Sequence, residues 1–373
     1  MKPVLVSFVI PVRNGMTTLP TTLQSIASQS NQDFELIVVN NGSSDGLSDY
    51  VGTLDFVKHV TCAKVGRGAA RNAGAQIAEG KYLAFVDADV VLGKHWLKNA
   101  LEYMEAQRLD GLATQIVPAS NDGGVVDRFR TIYGKWKSQD TFLSLHKAGG
   151  PRPVVNTAAC IFTKTSFLAV GGFAENLHRN EDLDLSFRLF YLGYLLGGTT
   201  TAKARVVFSS RRNWTRSARY LLRAFESTYY SPFPPPSLLK IRLNRNLLDF
   251  ICQKTNDPKL LFYASVVNGA WITGDIARRF VPTLRPLPIK KIPVLRKTVL
   301  YSFRDKTSSY VLSRDVNLLA IDQDLYLFRG MRDWRKLEPN LTSGLQQILQ
   351  GRLLSSKAKK QILDLQVFEK ANA

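Results

Sequence analysis

A chain of 373 residues with 45% hydrophobic positions can bury a sizeable core, which excludes global disorder and fits one large domain or two ordinary ones. Its formal net charge of +20 is lopsided: residues 1–200 carry 19 basic and 18 acidic side chains, residues 201–373 carry 31 and 12. A polyanionic partner would therefore belong to the back half. Three scattered cysteines, Cys62, Cys160 and Cys252, lack any metal-ligand spacing; they argue against a disulfide framework or a zinc site and for a reducing compartment.

In chain order, "MKPVLVSFVIPVRNG" reads as a first strand rather than a signal peptide, because Pro11 and Arg13 interrupt its apolar run. "TLPTTLQSIASQS" predicts a helix, "DFELIVVN" a strand and "NGSSDG" a turn. "GRGAARNAGAQIAEG" predicts a glycine-rich entry into a helix that Gly80 ends, and "KYLAFVDAD" a further strand. Strands alternating with helices imply an α/β fold, a mostly parallel sheet with helices on both faces, which binds ligands at the carboxyl ends of its strands. Asn40, Asn41, Asp87 and Asp89 stand at such ends.

Further along, "VVNTAACIFTKTSFLAVGGF" predicts a strand, a turn and a short helix, and "NEDLDLSFRLFYLGY" a helix. The proline cluster "SPFPPPS" at 231–237 marks a boundary between a domain 1–230 and a basic, mostly helical region 231–373. Two helical patterns follow, around 238–255 and 258–280. "LLFYASVVNGAWITGDI", 260–276, is too short and too polar, with Asn268 and Asp275, for a full membrane span. It reads first as a buried helix, with a helix dipping into one leaflet, flanked by Arg278 and Arg279, as the alternative.

The chemistry gathers at carboxylates. If Asp87 and Asp89 continue the strand, side chains two apart face one site, and oxygen ligands suit Mg²⁺ or Mn²⁺. A solvated turn or a helix cap is the plain alternative for a lone D-x-D. Upstream, Arg67 and Arg71 accompany backbone that can approach a ligand; Arg71 could bind a diphosphate or stack on a base. Downstream, Glu181 and Asp182 open a helix, where simple N-terminal charge is the competing reading.

Taken in order, "SFVIPVRNG", "ELIVVNNGSSDG", "GRGAARNAG", "YLAFVDAD", "GGFAENL" and "NEDLDLSFRLFYLGY" resemble family 2 glycosyltransferases and their GT-A fold, over roughly residues 4 to 225. The resemblance implies a nucleotide-lining backbone at Pro11 and Val12. It puts the uracil-accepting position at Asn40 beside Asn41, the arginine near base and diphosphate at Arg71, metal ligands at Asp89 and Asp87, and the catalytic E-D pair at Glu181 and Asp182, with Asp182 as base. The implied reaction is an inverting, metal-assisted transfer from a nucleotide sugar, UDP foremost, to a hydroxyl of a glycan or lipid-linked acceptor.

Two departures qualify this. Asn40-Asn41 replaces the usual acidic pair; it keeps a uracil acceptor but leaves a guanosine donor open. Ser209 stands where many relatives carry a metal-completing histidine; none of His59, His95, His146 and His178 fits that slot, and Arg211 and Arg212 could partly replace the ion's charge. Trp214, Tyr229 and Tyr230 border the acceptor side by resemblance, or line an amphipathic helix. The second D-x-D, Asp322 and Asp324, reads as a structural turn.

The basic back half suits anionic lipid, a lipid-phosphate carrier or an acidic glycan, placing the protein in the cytoplasm, peripheral to the membrane face. No nucleic-acid motif is present. Acceptors on a protein or peptide, or a non-catalytic glycan-binding module, are the alternatives.

Overall fold

The computed structural model describes residues 4–118, 155–207 apart from 178, 255–280 and most of 302–370, with a few isolated positions between. The first half runs β1 (Val6–Val12), α1 (Leu19–Ala27), β2 (Phe34–Asn40), α2 (Leu47–Gly52), β3 (Val57–Thr61), α3 (Arg67–Ile77), β4 (Tyr82–Val86), β5 (Val90–Leu92), α4 (Trp96–Ala106) and β6 (Gly111–Pro118). Then come β7 (Ala159–Thr163), α5 (Lys164–Ala169), α6 (Glu181–Tyr191) and β8 (Leu196–Val206). Every strand and helix expected in these segments is present.

β1 is an uninterrupted apolar run because both of its faces are covered. Phe8 and Ile10 face a core with Leu23 and Ile26 of α1 and Trp96 of α4. Val9 faces the opposite core with Ala70 of α3 and Leu185 and Leu189 of α6. β3, β2, β1 and β4 lie side by side in that order and are parallel. The chain leaves β1 to one side for β2 and reaches its other side at β4, so the crevice between the loops after β1 and β4 is a topological switch point. β7 joins antiparallel to β4, which fixes the start of α5 and the loop beyond it.

Close helix–sheet approach depends on Gly74 in α3. A Cβ there would meet the Val9 side chain and lie 2.9 Å from Val39 Cγ2. Gly74→Ala is expected to destabilise the protein by about 1–3 kcal/mol through overpacking, despite the better helix propensity of alanine. A thermal melt showing no loss would overturn that reading.

Beside the helices expected there, the described part of the C-terminal region also contains strands. It contains α7 (Pro258–Phe280), β9 (Ser302–Asp305), β10 (Ser308–Leu312), β11 (Val316–Ile321), β12 (Asp324–Arg329), β13 (Asp333–Lys336), α8 (Pro339–Leu349), α9 (Ser356–Asp364) and β14 (Phe368–Lys370). β11 pairs parallel with β8, and β12 and β13 follow antiparallel, so these three strands lengthen the first-half sheet. Leu318, Leu319 and Leu327 are buried by that pairing, the apolar gain that recruits the strands. β9, β10 and β14 form a separate small sheet. At the β11–β12 hairpin Asp324 opens β12 and pairs with Lys336 at 2.6 Å. Asp322 and the 231–237 boundary lie outside the described residues.

α7 is half-buried rather than enclosed. Leu260, Ala264 and Val267, at helical spacing, are buried, whereas Phe262 is 72% exposed. Arg128 pairs with Asp257 at 2.6 Å, and Phe129 meets Tyr263 edge-on, anchoring its start. Among the described residues no helix is long and apolar enough to cross a membrane.

Candidate active site

The carboxyl ends of β1, β2 and β4 open on the same side of the sheet because the three strands are parallel. Val12 is buried and Pro11 half-buried at the first of these ends. Beyond it the chain turns sharply at Asn14, whose φ of 53° is tolerable for asparagine. Asn14 N–H donates to Ser43 Oγ, Ser44 N–H donates to Asn14 Oδ1, and Met16 N–H donates to Asp45. The loops after β1 and β2 are thereby zipped together.

Asn40 and Asn41 are buried braces in these loops. Asn40 Nδ2 donates to Ser48 Oγ at 2.8 Å, and its Oδ1 accepts from Ser43 N–H at 2.9 Å. Asn41 Nδ2 donates to Lys64 O, and its Oδ1 accepts from Gly66 N–H, tying the entry of α3 to the end of β2. An amide has a donor for one loop and an acceptor for the other, which a carboxylate would lack. Asn40 Oδ1 keeps a second lone pair for a ligand.

Asp87 and Asp89 are not part of an extended strand, as the side-chain alternation argument required. β4 stops at Val86, and Val90 N–H donates to the Asp87 carbonyl at 3.0 Å, closing a tight turn. Asp87 N–H is held by the Ala158 carbonyl, and the Asp89 carbonyl accepts from Val207 N–H. The turn itself brings the two carboxylates to the end of β4; both residues are half-buried.

Arg71 lies under this turn and is 1% exposed. Its Nη2 donates to Asp87 Oδ1 and its Nη1 to Glu181 Oε1, each at 2.8 Å. The guanidinium sits 5.4 Å from the centroid of the Phe173 ring. Burial by itself would push the Arg71 pKa down, but the charges of Asp87 and Glu181 outweigh it and hold the group protonated. The expected approach of Arg71 to base and diphosphate therefore meets a different geometry, with both amino groups engaged inside the protein.

Glu181 is 4% exposed, while Asp182, next along α6, is half-buried. Three acidic residues, Glu181, Asp182 and Asp184, occupy the first turn of α6, where the helix dipole favours negative charge. Leu183 N–H donates to Asp182 Oδ1 at 2.9 Å. Cys160, on β7 beside Phe85, is a buried thiol whose pKa is pushed up by burial; among nearby charges it senses Arg71, Asp87 and Asp182. Asp182 adjoins Glu181, the residue that pairs with Arg71 at the start of α6.

Sequence reasoning passed over the supports of this cluster. Asn72 Nδ2 donates to the Phe173 carbonyl and its Oδ1 accepts from Phe173 N–H, both at 2.9 Å, clamping the loop that lays Phe173 on Arg71. From the other side Arg188 donates to the carbonyls of Val170 and Gly172 and pairs with Asp184. Burial raises the Asp184 pKa, against the opposing pull of Arg188. The "GGF" following an apolar helix was the available signal: Gly171 and Gly172 have φ of 82° and 67°.

Asp87 and Asp89 are hard oxygen donors of the type Mg²⁺ or Mn²⁺ takes. Among the described residues no group of three His, Cys, Asp or Glu side chains could hold a metal ion. The pair fits a partial shell, completed by water and phosphate oxygens, not an all-protein cage. Ser209, Arg211, Arg212, Trp214, Tyr229, Tyr230 and His178 lie outside the described residues.

Residues 7–170 match the model of "Glycosyl transferase family 2". A pre-mycofactocin glycosyltransferase of Mycobacterium tuberculosis is 30% identical over 203 residues, covering 50% of this chain and 39% of that protein. The putative teichuronic acid biosynthesis glycosyltransferase TuaG of Bacillus subtilis is 31% identical over 130 residues, 34% of this chain and 52% of its own. The chain thus spans well under two thirds of the length of these curated relatives. Among solved structures, the Pyrobaculum calidifontis mannosyltransferase PcManGT in complex with GDP-Man and Mn²⁺ aligns with TM-score 0.45 and 16% identity, covering 75% of this chain and 76% of that one. The S. aureus TarS 1–349 complex with UDP aligns with TM-score 0.42 and 18% identity, covering 74% and 91%. Over residues 7–170 the chain is thus similar to glycosyl transferase family 2.

Proposed function

We propose that this chain transfers a sugar from a nucleoside diphosphate donor to an acceptor hydroxyl, inverting the anomeric configuration. The observation that carries the reading is the Arg71 bridge, which puts the Asp87 turn and the acidic start of α6 at one end of the parallel sheet. The similarity of residues 7–170 to glycosyl transferase family 2 supports the reaction class.

In this reading the zipped loops after β1 and β2, with Pro11, Val12 and the remaining acceptor capacity of Asn40, cradle the base. Asp89 and Asp87 are the residues that would hold a divalent ion, Mn²⁺ or Mg²⁺, which would supply positive charge against that growing on the departing diphosphate. Asp182 accepts the proton of the acceptor hydroxyl at a carboxylate oxygen as that hydroxyl attacks the anomeric carbon from the face opposite the leaving group. Glu181, turned inward onto Arg71, fixes the start of α6 rather than touching the acceptor. The acceptor fits a glycan or lipid-linked glycan, and the cationic back half fits an anionic membrane surface on the cytoplasmic side.

The test is hydrolysis and transfer across a panel of UDP- and GDP-sugars with Mn²⁺ or Mg²⁺. Turnover of at least one donor is expected, together with a loss of about 100-fold or more in Asp89→Ala, since the ion contributes several kcal/mol to the transition state. A folded protein that turns over no member of the panel, or an unimpaired Asp89→Ala, would sink the assignment.

A further inference from the structure

We infer that Arg71 is a positioning residue, which sets the separation between the Asp87 turn and the start of α6, and not a ligand of the donor's diphosphate; this rests on the function proposed above. Each polar atom of the side chain is engaged or enclosed inside the protein. Nη1 and Nη2 are spent on Glu181 and Asp87, and Nε is buried without a hydrogen-bond partner. With 1% of the residue exposed, a phosphate could reach it only by breaking one of these ion pairs.

The bridge spans elements far apart in sequence, 16 residues to Asp87 and 110 to Glu181. A guanidinium presents two amino groups at a fixed angle, so the two carboxylates cannot approach or separate independently. Phe173 covers the guanidinium, and Asn72 fixes Phe173 by both backbone polar groups, so the fork has little freedom to swing. What this sets is the offset between the half-buried neighbours on the same turn and helix, Asp89 on the donor side and Asp182 on the acceptor side. Reaction geometry is sensitive to offsets of this kind, of order 1 Å for about 100-fold in rate. Arginine, one cation between two anions, also leaves the cluster net negative, and a diphosphate needs a cation here to be tolerated.

Arg71→Lys keeps the charge but replaces the fork by a point donor. Binding of UDP and of GDP is measured by calorimetry in the presence of Mn²⁺ or Mg²⁺, and turnover is measured with whichever panel donor wild type hydrolyses. The expected result is nucleotide affinity within about two-fold of wild type, because no charge-assisted bond to the diphosphate is lost. The same variant should lose about 100-fold in kcat with little change in donor KM. Should Arg71→Lys fold poorly, Glu181→Gln, which cuts the other end of the bridge, is expected to show the same split. In the cycle combining both changes, the second should cost much less than the first, a coupling that general destabilisation does not produce.

A loss of about ten-fold or more in nucleotide affinity with kcat preserved would make Arg71 a diphosphate ligand and overturn the inference. So would unchanged kcat in both variants. A wild-type protein that binds neither UDP nor GDP overturns the proposed function and this inference together, an outcome distinct from either variant result.

Discussion

Replacing Arg71 with methionine is expected to cost about 3–5 kcal/mol of stability, the penalty typical of deleting one partner of a buried ion pair. Methionine restores most of the volume, so the loss is electrostatic rather than a cavity. Glu181, 4% exposed, would be left charged with nothing to compensate it, while Asp87, about one third exposed, can turn to water. The asymmetry gives the experiment its control. Adding Glu181→Gln to Arg71→Met should recover a large part of the loss, whereas adding Asp87→Asn should recover little. In thermal unfolding the single change corresponds to a fall in Tm on the order of 10 °C. A drop confined to a degree or two would mean that water already reaches the pair, against its burial.

The contrast between what the chain announces and what it conceals follows the range of the forces involved. Strands such as "VSFVIPV" and "YLAFV" are legible because two covered faces demand a continuous apolar run, and both stand where that run predicts. Asn40, Asn41, Asp87 and Asp89 were placed correctly at strand ends, but their surroundings were not legible. Strand alternation would make the two aspartates face together; in the fold the strand ends before them in a tight turn, set by Val90 N–H reaching back to Asp87. The asparagines look like ligands in sequence and are largely spent on holding loops. Arg71 finds Glu181 across 110 residues, a pairing no local pattern encodes. The C-terminal strands are a different kind of miss. "VNLLAIDQDLYLF" is two apolar runs about a polar turn, the pattern of a hairpin, and β11 and β12 pair accordingly.

The sharpest chemical expectation concerns Asp182. Asp182→Asn should reduce transfer by about 10²–10⁴-fold, the range for loss of a general base, while leaving the fold and nucleotide binding in place. The structure supports that separation. Asp182 is half-buried, and its Oδ1 accepts from Leu183 N–H, a role an amide oxygen can keep. Asparagine also preserves the size of the side chain and the start of α6, whose cluster of first-turn acids still includes Glu181 and Asp184. UDP or GDP affinity within about two-fold of wild type would show that the donor site is intact. Glu181→Gln supplies the comparison, since both residues are carboxylates one position apart on the same helix. If position 181 acts only through Arg71, its loss changes where groups stand, and an acceptor with a more acidic hydroxyl would not rescue it. If position 182 takes the proton, a more acidic acceptor should recover part of the rate in Asp182→Asn, because less basicity is then required of the enzyme. Equal rescue in the two variants, or Asp182→Asn activity within about ten-fold of wild type, would remove residue 182 from the proton's path.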